Sequence, residues 1–418
     1  MRCPSCGEER LVAFSCKGRI CPSCSARRAA DIAADLADRV LPEARYRQYV
    51  LTFPWPLRLP LAFDAVFFTR MIGAYLHTLM AWMRRRGRAM GIRGGRTGAV
   101  TFVQRFGGAL NVNPHLHSLL PDGLFVGDEG EELRFVPMPP PTQDEIARLT
   151  ASVASRLIRL ARRILGEGGE PDAQKMSVLA SLSEAMVPPL CPAGIFDAME
   201  EAEGPPRLCA NVEGYCLHAA RTVSAGDRAG LERLCRYGLR APFSQERLTL
   251  LPDGRVRYRL RRPWPTPAGV TELVLDPIKF LRRLCALIPN PGSNLVRYHG
   301  IFASRSRDRA RLPAPPCSPP APEPPAPRKR RTPWAQLLMR VLSVDALTCP
   351  RCSAPIVVLA FITDPGVLRK ILEHLGLPSS DPPRGPSRFE RPEEQVEMFE
   401  GWEEEGEARA GRDPPWED

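Results

Sequence analysis

Ile32, Leu36 and Val40 recur at helical spacing in the Ala-rich stretch SARRAADIAADLADRVL, which runs on from the end of a cysteine-dense, basic unit over residues 1–30. The pattern predicts a small knuckle feeding a helix. YRQYVLTFPWP (46–56) has strand composition and is stopped by prolines. AVFFTRMIGAYLHTLMAWMRRRGRAMG carries an apolar face and a basic end, the pattern of a long amphipathic helix. GAVTFVQRFGGALNVNPHLHSLLPDGLFV holds two β-rich runs separated by Gly-containing residues, most simply an antiparallel pair. A second long helix is predicted over TQDEIARLTASVASRLIRLARRIL, with Thr142 and Asp144 as candidate caps. From Leu231 the chain reads as a short helix, LERLCRYGL, followed by a hairpin around Asp253-Gly254. LDPIKFLRRLCALI is another helix, started by Asp276 and Pro277.

LPAPPCSPPAPEPPAPRKRRTP cannot pack a core and reads as a semi-rigid linker ending in a basic cluster. A small unit follows, and then a tail whose acidic, apolar-poor composition predicts disorder. The expected division is a cysteine module and helix (1–40), a central domain (41–310), a Pro-rich basic linker (311–334), a small Cys-x2-Cys module (335–378) and the acidic tail (379–418). No internal repeat is visible.

Charge sharpens the picture. The 418 residues hold 58 Lys and Arg against 47 Asp and Glu, a net +11, and a pI near 9.2 favours a polyanionic partner. Residues 381–418 hold 13 acids and 5 bases, so the rest of the chain has 53 bases against 34 acids, a net +19. The N-terminus is polar, and no apolar run approaches the ~20 residues that span a bilayer, so the chain is expected to be soluble and cytoplasmic. In a reducing compartment, thirteen cysteines point to metal ligands or buried thiols rather than disulfides.

Their clustering points to metal. Cys3-x2-Cys6 and Cys21-x2-Cys24 form two short turns, each able to aim two thiolates at one tetrahedral zinc. These four are the expected ligands of a structural zinc, with Cys16 as a spare able to replace one of them. Cys349-x2-Cys352 stands without a second pair nearby; His374 and Cys317 are the residues able to complete it, and an unligated turn is the equal alternative. His115 and His117 lie two apart, so on a strand both imidazoles share one face while Leu116 points into the core. That geometry suits a divalent cation; two surface or hydrogen-bonded histidines are the plainer alternative.

GAVTFVQRFGGALNVNPHLHSLLPDG resembles the metal-binding signature of the rolling-circle insertion-sequence transposases of the IS ninety-one type, members of the His-hydrophobe-His nuclease superfamily. The similarity continues, in the family's order, through AFSCKGRICPSCSARRAA, LERLCRYGLRAPFSQERL, LVRYHGIFA and LTCPRCSAPIVVLAFITDPGVLRKILEHLGL.

The resemblance implies an α+β fold with a central antiparallel sheet flanked by helices, and a zinc module before it. It implies a nucleoid-associated enzyme acting on single-stranded or locally melted DNA, nicking and rejoining strands through a 5′-phosphotyrosine. His115, His117 and a third polar ligand would hold Mg²⁺ or Mn²⁺; Gln104 is the first choice for that ligand and Gln245 the next. Tyr237 falls at the catalytic tyrosine motif, flanked by Arg233, Arg236 and Arg240 as phosphate contacts, and Tyr298 is the alternative nucleophile. Arg233 stands where two-tyrosine members carry a second tyrosine, so the chain resembles the single-tyrosine branch. The clusters at Arg84–Arg86, Arg282–Arg283 and Arg328–Arg331 would add phosphate contacts. Family members carry further residues before the first cysteine, so the chain as given is expected to be shortened there. A zinc-containing DNA-binding protein without catalysis, and a rolling-circle replication initiator or relaxase, are the competing readings. His115, His117 and Tyr237 together distinguish the enzyme from the binder, which has no need to keep them.

Overall fold

A computed structural model describes residues 1–9, 21–166, 208–260, 269–289, 293–315, 345, 347–357, 359, 362, 364–374 and 376. Cys16, Cys317, the Arg328–Arg331 cluster and the acidic tail lie outside the described residues. The chain divides into two compact units, Met1–Leu11 with Cys349–Asp418, and Val12–Thr348.

The larger unit begins with α1 (Pro22–Asp35), which runs into a π-helical turn, Leu36–Val40. Then come β1 (Tyr46–Thr52), α2 (Trp55–Phe63), α3 (Ala65–Ala89), β2 (Gly98–Phe106), β3 (Val112–Pro121), β4 (Gly123–Val126), β5 (Arg134–Pro137) and α4 (Gln143–Leu165). Further on are β6 (Cys209–Val212), β7 (Tyr215–His218), β8 (Thr222–Val223), α5 (Arg228–Gly238), β9 (Leu248–Leu250), β10 (Val256–Arg259), β11 (Glu272–Leu275), α6 (Pro277–Leu287) and β12 (Val296–Gly300). The main sheet is antiparallel, in the order β12-β2-β3-β1-β7-β6, with β8 pairing to β1. The expected α+β architecture is therefore present.

Every residue of β1, β2 and β3 is buried, because helices cover both faces of the sheet. On one face Tyr49, Leu51, Val103, Leu116 and Leu120 pack with the apolar stripes of α3 and α4. On the other, Val100, Phe102 and Leu119 pack with Ala33 and Leu36 from the α1 segment and with Leu231, Leu234 and Cys235 of α5. The α1 segment thus shares the core of the larger unit. Alternation along β3 sends Leu116 to the α3 side and His115 and His117 to the α5 side.

Local chemistry explains the element ends. Thr142 caps α4 in a capping box with Glu145, and Asp144 sits inside the first turn. Asp227 starts α5 by accepting from the Gly230 N–H at 2.7 Å. Asp276 caps α6 as expected. Helix α2 was not expected: Pro56 lies in its first turn, where a missing N–H costs nothing, so prolines that end β1 also open a helix. Buried Arg47 and Asp122 lock β1 to the end of β3 through two bonds, at 2.9 and 2.7 Å. Among the described residues no single helix is long and apolar enough to cross a membrane.

Candidate active site

β3 pairs with β2 so that His115 stands opposite Gln104 and His117 opposite Phe102. The period of two then gathers Asn113, His115, His117 and Gln104 on the sheet face that α5 covers. The imidazoles of His115 and His117 lie with centroids 4.9 Å apart, and the two residues are only 8% and 5% exposed. His115 Nδ1–H donates to the Asn113 carbonyl at 2.7 Å, which leaves its Nε2 lone pair free to bind. His117 has no partner at either ring nitrogen, and Asn113 Oδ1 and Gln104 Oε1 are likewise buried without partners. Burial pushes His115 down to about 4, with Arg240 and Arg58 adding to the effect, and burial with the neighbouring His115 holds His117 well below its ordinary value. Both rings are neutral near pH 7, the form that ligates cations.

The C-terminal end of α5 closes over this face. Gln104 Nε2 donates to the carbonyls of Tyr237 (2.9 Å) and Gly238 (3.1 Å), satisfying two orphaned groups of the helix end. Gly238 sits so close to β2 that a Cβ there would lie 2.6 Å from Phe102 Cγ. The glycine lets the helix dock, and the glutamine fixes its end. The Tyr237 ring accordingly stands edge-on to His117, centroids 5.7 Å apart, with the Arg240 guanidinium 4.5 Å over its face.

All seven tyrosines fall among the described residues, and Tyr237, at 39%, is the one that is exposed. Tyr298 on β12 is half-buried in the second core, where burial raises its pKa. Arg233 is exposed on α5, within 3.9 Å of Asp227, while Arg236 and Arg240 are half-buried. Gln245 belongs to a short 3-10 turn, Gln245–Arg247. Arg86 does not face solvent: it is buried, bonds Glu145 at 2.8 Å and lies over Trp82, so this member of the Arg84–Arg86 cluster joins α3 to α4. The sequence reading passed over Asn113, whose position two residues before His115 was its only signal, and Gly238, which had none.

Four of the cysteines gather in one place. In the smaller unit the sulfurs of Cys3, Cys6, Cys349 and Cys352 all lie within 4.8 Å of one another, a set that could hold a metal ion. Cys21 and Cys24 belong to the larger unit, at the start of α1, where Cys24 is buried. Within the smaller unit the structure joins Cys3 and Cys6 to the C-terminal pair. Spacing along the chain could suggest only nearby partners. The donor set of four thiols fits structural zinc.

Residues 98–310, just over half of the chain, match the family model described as "Putative transposase". The chain belongs to this transposase family. Residues 1–53 of the transposase also match the model described as "Transposase zinc-binding domain", of the IS ninety-one type. The transposase is 25% identical over 316 residues to "Putative transposase y4qJ" of Sinorhizobium fredii, a similarity covering 73% of this chain and 70% of the relative. No solved structure matches. Membership of the IS ninety-one type, expected from the motifs, is borne out, and the transposase is a DNA-processing enzyme with a zinc-binding region.

Proposed function

We propose that this transposase nicks single-stranded or locally melted DNA at the ends of its insertion sequence and rejoins the strands by rolling-circle transposition, with Tyr237 as nucleophile. One observation carries the reading: buried, unpartnered acceptors on β2 and β3 lie beside the single exposed tyrosine. Leaving such groups unsatisfied costs on the order of 1–3 kcal/mol each, a cost that a bound cation removes. His115, His117 and Gln104, two imidazoles and an amide oxygen, fit Mg²⁺ or Mn²⁺, and Asn113 offers a further oxygen. These residues would hold the cation, which would supply Lewis-acid stabilisation of the charge that develops on the scissile phosphate.

The chain's own residues supply the rest. Tyr237 Oη attacks phosphorus and loses its proton to water; the bond from phosphorus to the 3′-oxygen breaks, and that oxygen leaves as a hydroxyl by taking a proton from water. The 5′-phosphotyrosyl ester conserves the bond, so a 3′-hydroxyl can later attack it and release Tyr237 without ATP. Gln104 and Gly238 position Tyr237 against the histidine face, and Arg240 beside its ring, with Arg233 and Arg236 on the same helix, provides cations for flanking phosphates. Nicking of oligonucleotides from the element's ends in Mg²⁺ or Mn²⁺ tests the metal assignment. Loss in His115→Ala and His117→Ala is expected, and undiminished nicking in both would overturn it.

A further inference from the structure

The two Cys-x2-Cys turns of the smaller unit have the same backbone geometry although 343 residues separate Cys6 from Cys349. In the first, the Cys3 N–H donates to the Glu8 carbonyl at 2.8 Å and the Gly7 N–H to the Cys3 carbonyl at 3.0 Å. In the second, the Cys349 N–H donates to the Ala354 carbonyl and the Ser353 N–H to the Cys349 carbonyl, both at 2.8 Å. The residue after the second cysteine is left-handed in each, Gly7 at φ 76° and Ser353 at φ 58°. Arg2 and Val357 then exchange two backbone hydrogen bonds, at 2.9 and 3.0 Å. Two equivalent turns thus face each other across a short antiparallel bridge.

We propose that one zinc ion, held by Cys3, Cys6, Cys349 and Cys352, fastens the first residues of the chain to the C-terminal segment and makes them a single module. The zinc-binding match ends at residue 53, so half of this ligand set lies outside it. The cross-turn sulfur distances, 3.4 Å for Cys3 to Cys352 and 3.5 Å for Cys6 to Cys349, are far longer than a disulfide of ~2.05 Å. They approach the edge of a tetrahedron with zinc–sulfur bonds of ~2.3 Å, which is about 3.8 Å. Four thiolates this close repel one another unless a cation sits between them. The apolar content is slight: Cys3, Cys349 and Ile356 are buried, with Met1, Cys6 and Ala354 packed around them. A core of that size does not hold two chain segments together without a metal. Left-handed Ser353 points the same way, since a serine keeps that conformation only where its surroundings hold it.

Zinc content of the full chain tests the proposal independently of any nicking. The double variants Cys3→Ser/Cys6→Ser and Cys349→Ser/Cys352→Ser should each lose one zinc per chain relative to wild type. The quadruple variant should lose the same one, because both pairs serve one ion. Full zinc retention by Cys349→Ser/Cys352→Ser, or loss of two equivalents by the quadruple variant, would overturn it. A second measurement avoids cysteine substitution: a protease site is inserted into the Pro-rich stretch between residues 316 and 327, and the zinc-loaded protein is cut. The C-terminal fragment should co-elute with the remainder, separate on addition of 1,10-phenanthroline and rejoin when Zn²⁺ is restored. A fragment that separates with zinc still bound, or stays once zinc is gone, contradicts the clasp.

Discussion

The imidazole of His117 stands edge-on to the ring of Tyr237, with 5.7 Å between centroids, on a sheet face otherwise closed to solvent. A buried imidazole with neither nitrogen bonded costs stability, on the order of 1–3 kcal/mol, unless something binds it. His117→Leu, similar in bulk and without polar atoms, should therefore keep or raise the thermal midpoint of metal-free protein. It should also remove the stabilisation that Mn²⁺ gives wild type. Differential scanning calorimetry with and without Mn²⁺ reads both; a destabilised variant that still gains from Mn²⁺ would mean that the ring serves the fold alone.

Gln104 closes the end of α5 through its Nε2, while its Oε1 is buried without a partner on the strand position opposite His115. Gln104→Ala should cost about 1–3 kcal/mol in urea unfolding, since two helix-end carbonyls lose their donor. Gln104→Glu also loses the donor but keeps an oxygen towards the site, so it should be destabilised yet retain more Mn²⁺-dependent nicking than the alanine variant. Equal nicking in the two variants would confine Gln104 to positioning.

Gly238→Ala places a methyl group 2.6 Å from Phe102 Cγ. Overpacking of this kind costs about 1–3 kcal/mol, and here it also pushes Tyr237 away from His117. Adding Phe102→Leu should restore part of both stability and nicking. Failure of the second change to recover either would remove the close approach of α5 and β2 as the cause.

Asp122 is 2% exposed and bonds both Nε and an Nη of Arg47, itself 3% exposed. Removing one partner strands a buried charge, so Asp122→Ala should lower stability by about 3–5 kcal/mol. Pairing it with Arg47→Met should recover much of the loss in equilibrium unfolding; additive losses would mean that the two charges do not depend on each other.

Local patterns in the sequence were enough to place most helices and strands and to put His115 and His117 on one strand face, because periods of two and 3.6 depend only on neighbouring residues. The burial of that face was not legible, since α1 and α5 reach it through tertiary packing. For the same reason the approach of Cys349 and Cys352 to the Cys3–Cys6 turn was not legible: spacing rules see only residues near in the chain. Prolines around Trp55 read as a strand stop and hid α2, because the same residues suit a first helical turn. Gln104 was chosen by its strand and by resemblance, and its bonds to the α5 end came only from the structure.

The central claim is that Tyr237 forms the covalent bond to DNA. Single-stranded oligonucleotides from the element's ends, incubated with the transposase and Mn²⁺, should yield a protein–DNA adduct whose DNA-bearing peptide, mapped by mass spectrometry, contains Tyr237. Tyr237→Phe should yield none. An adduct that persists in Tyr237→Phe, or that maps to Tyr298, would contradict the account.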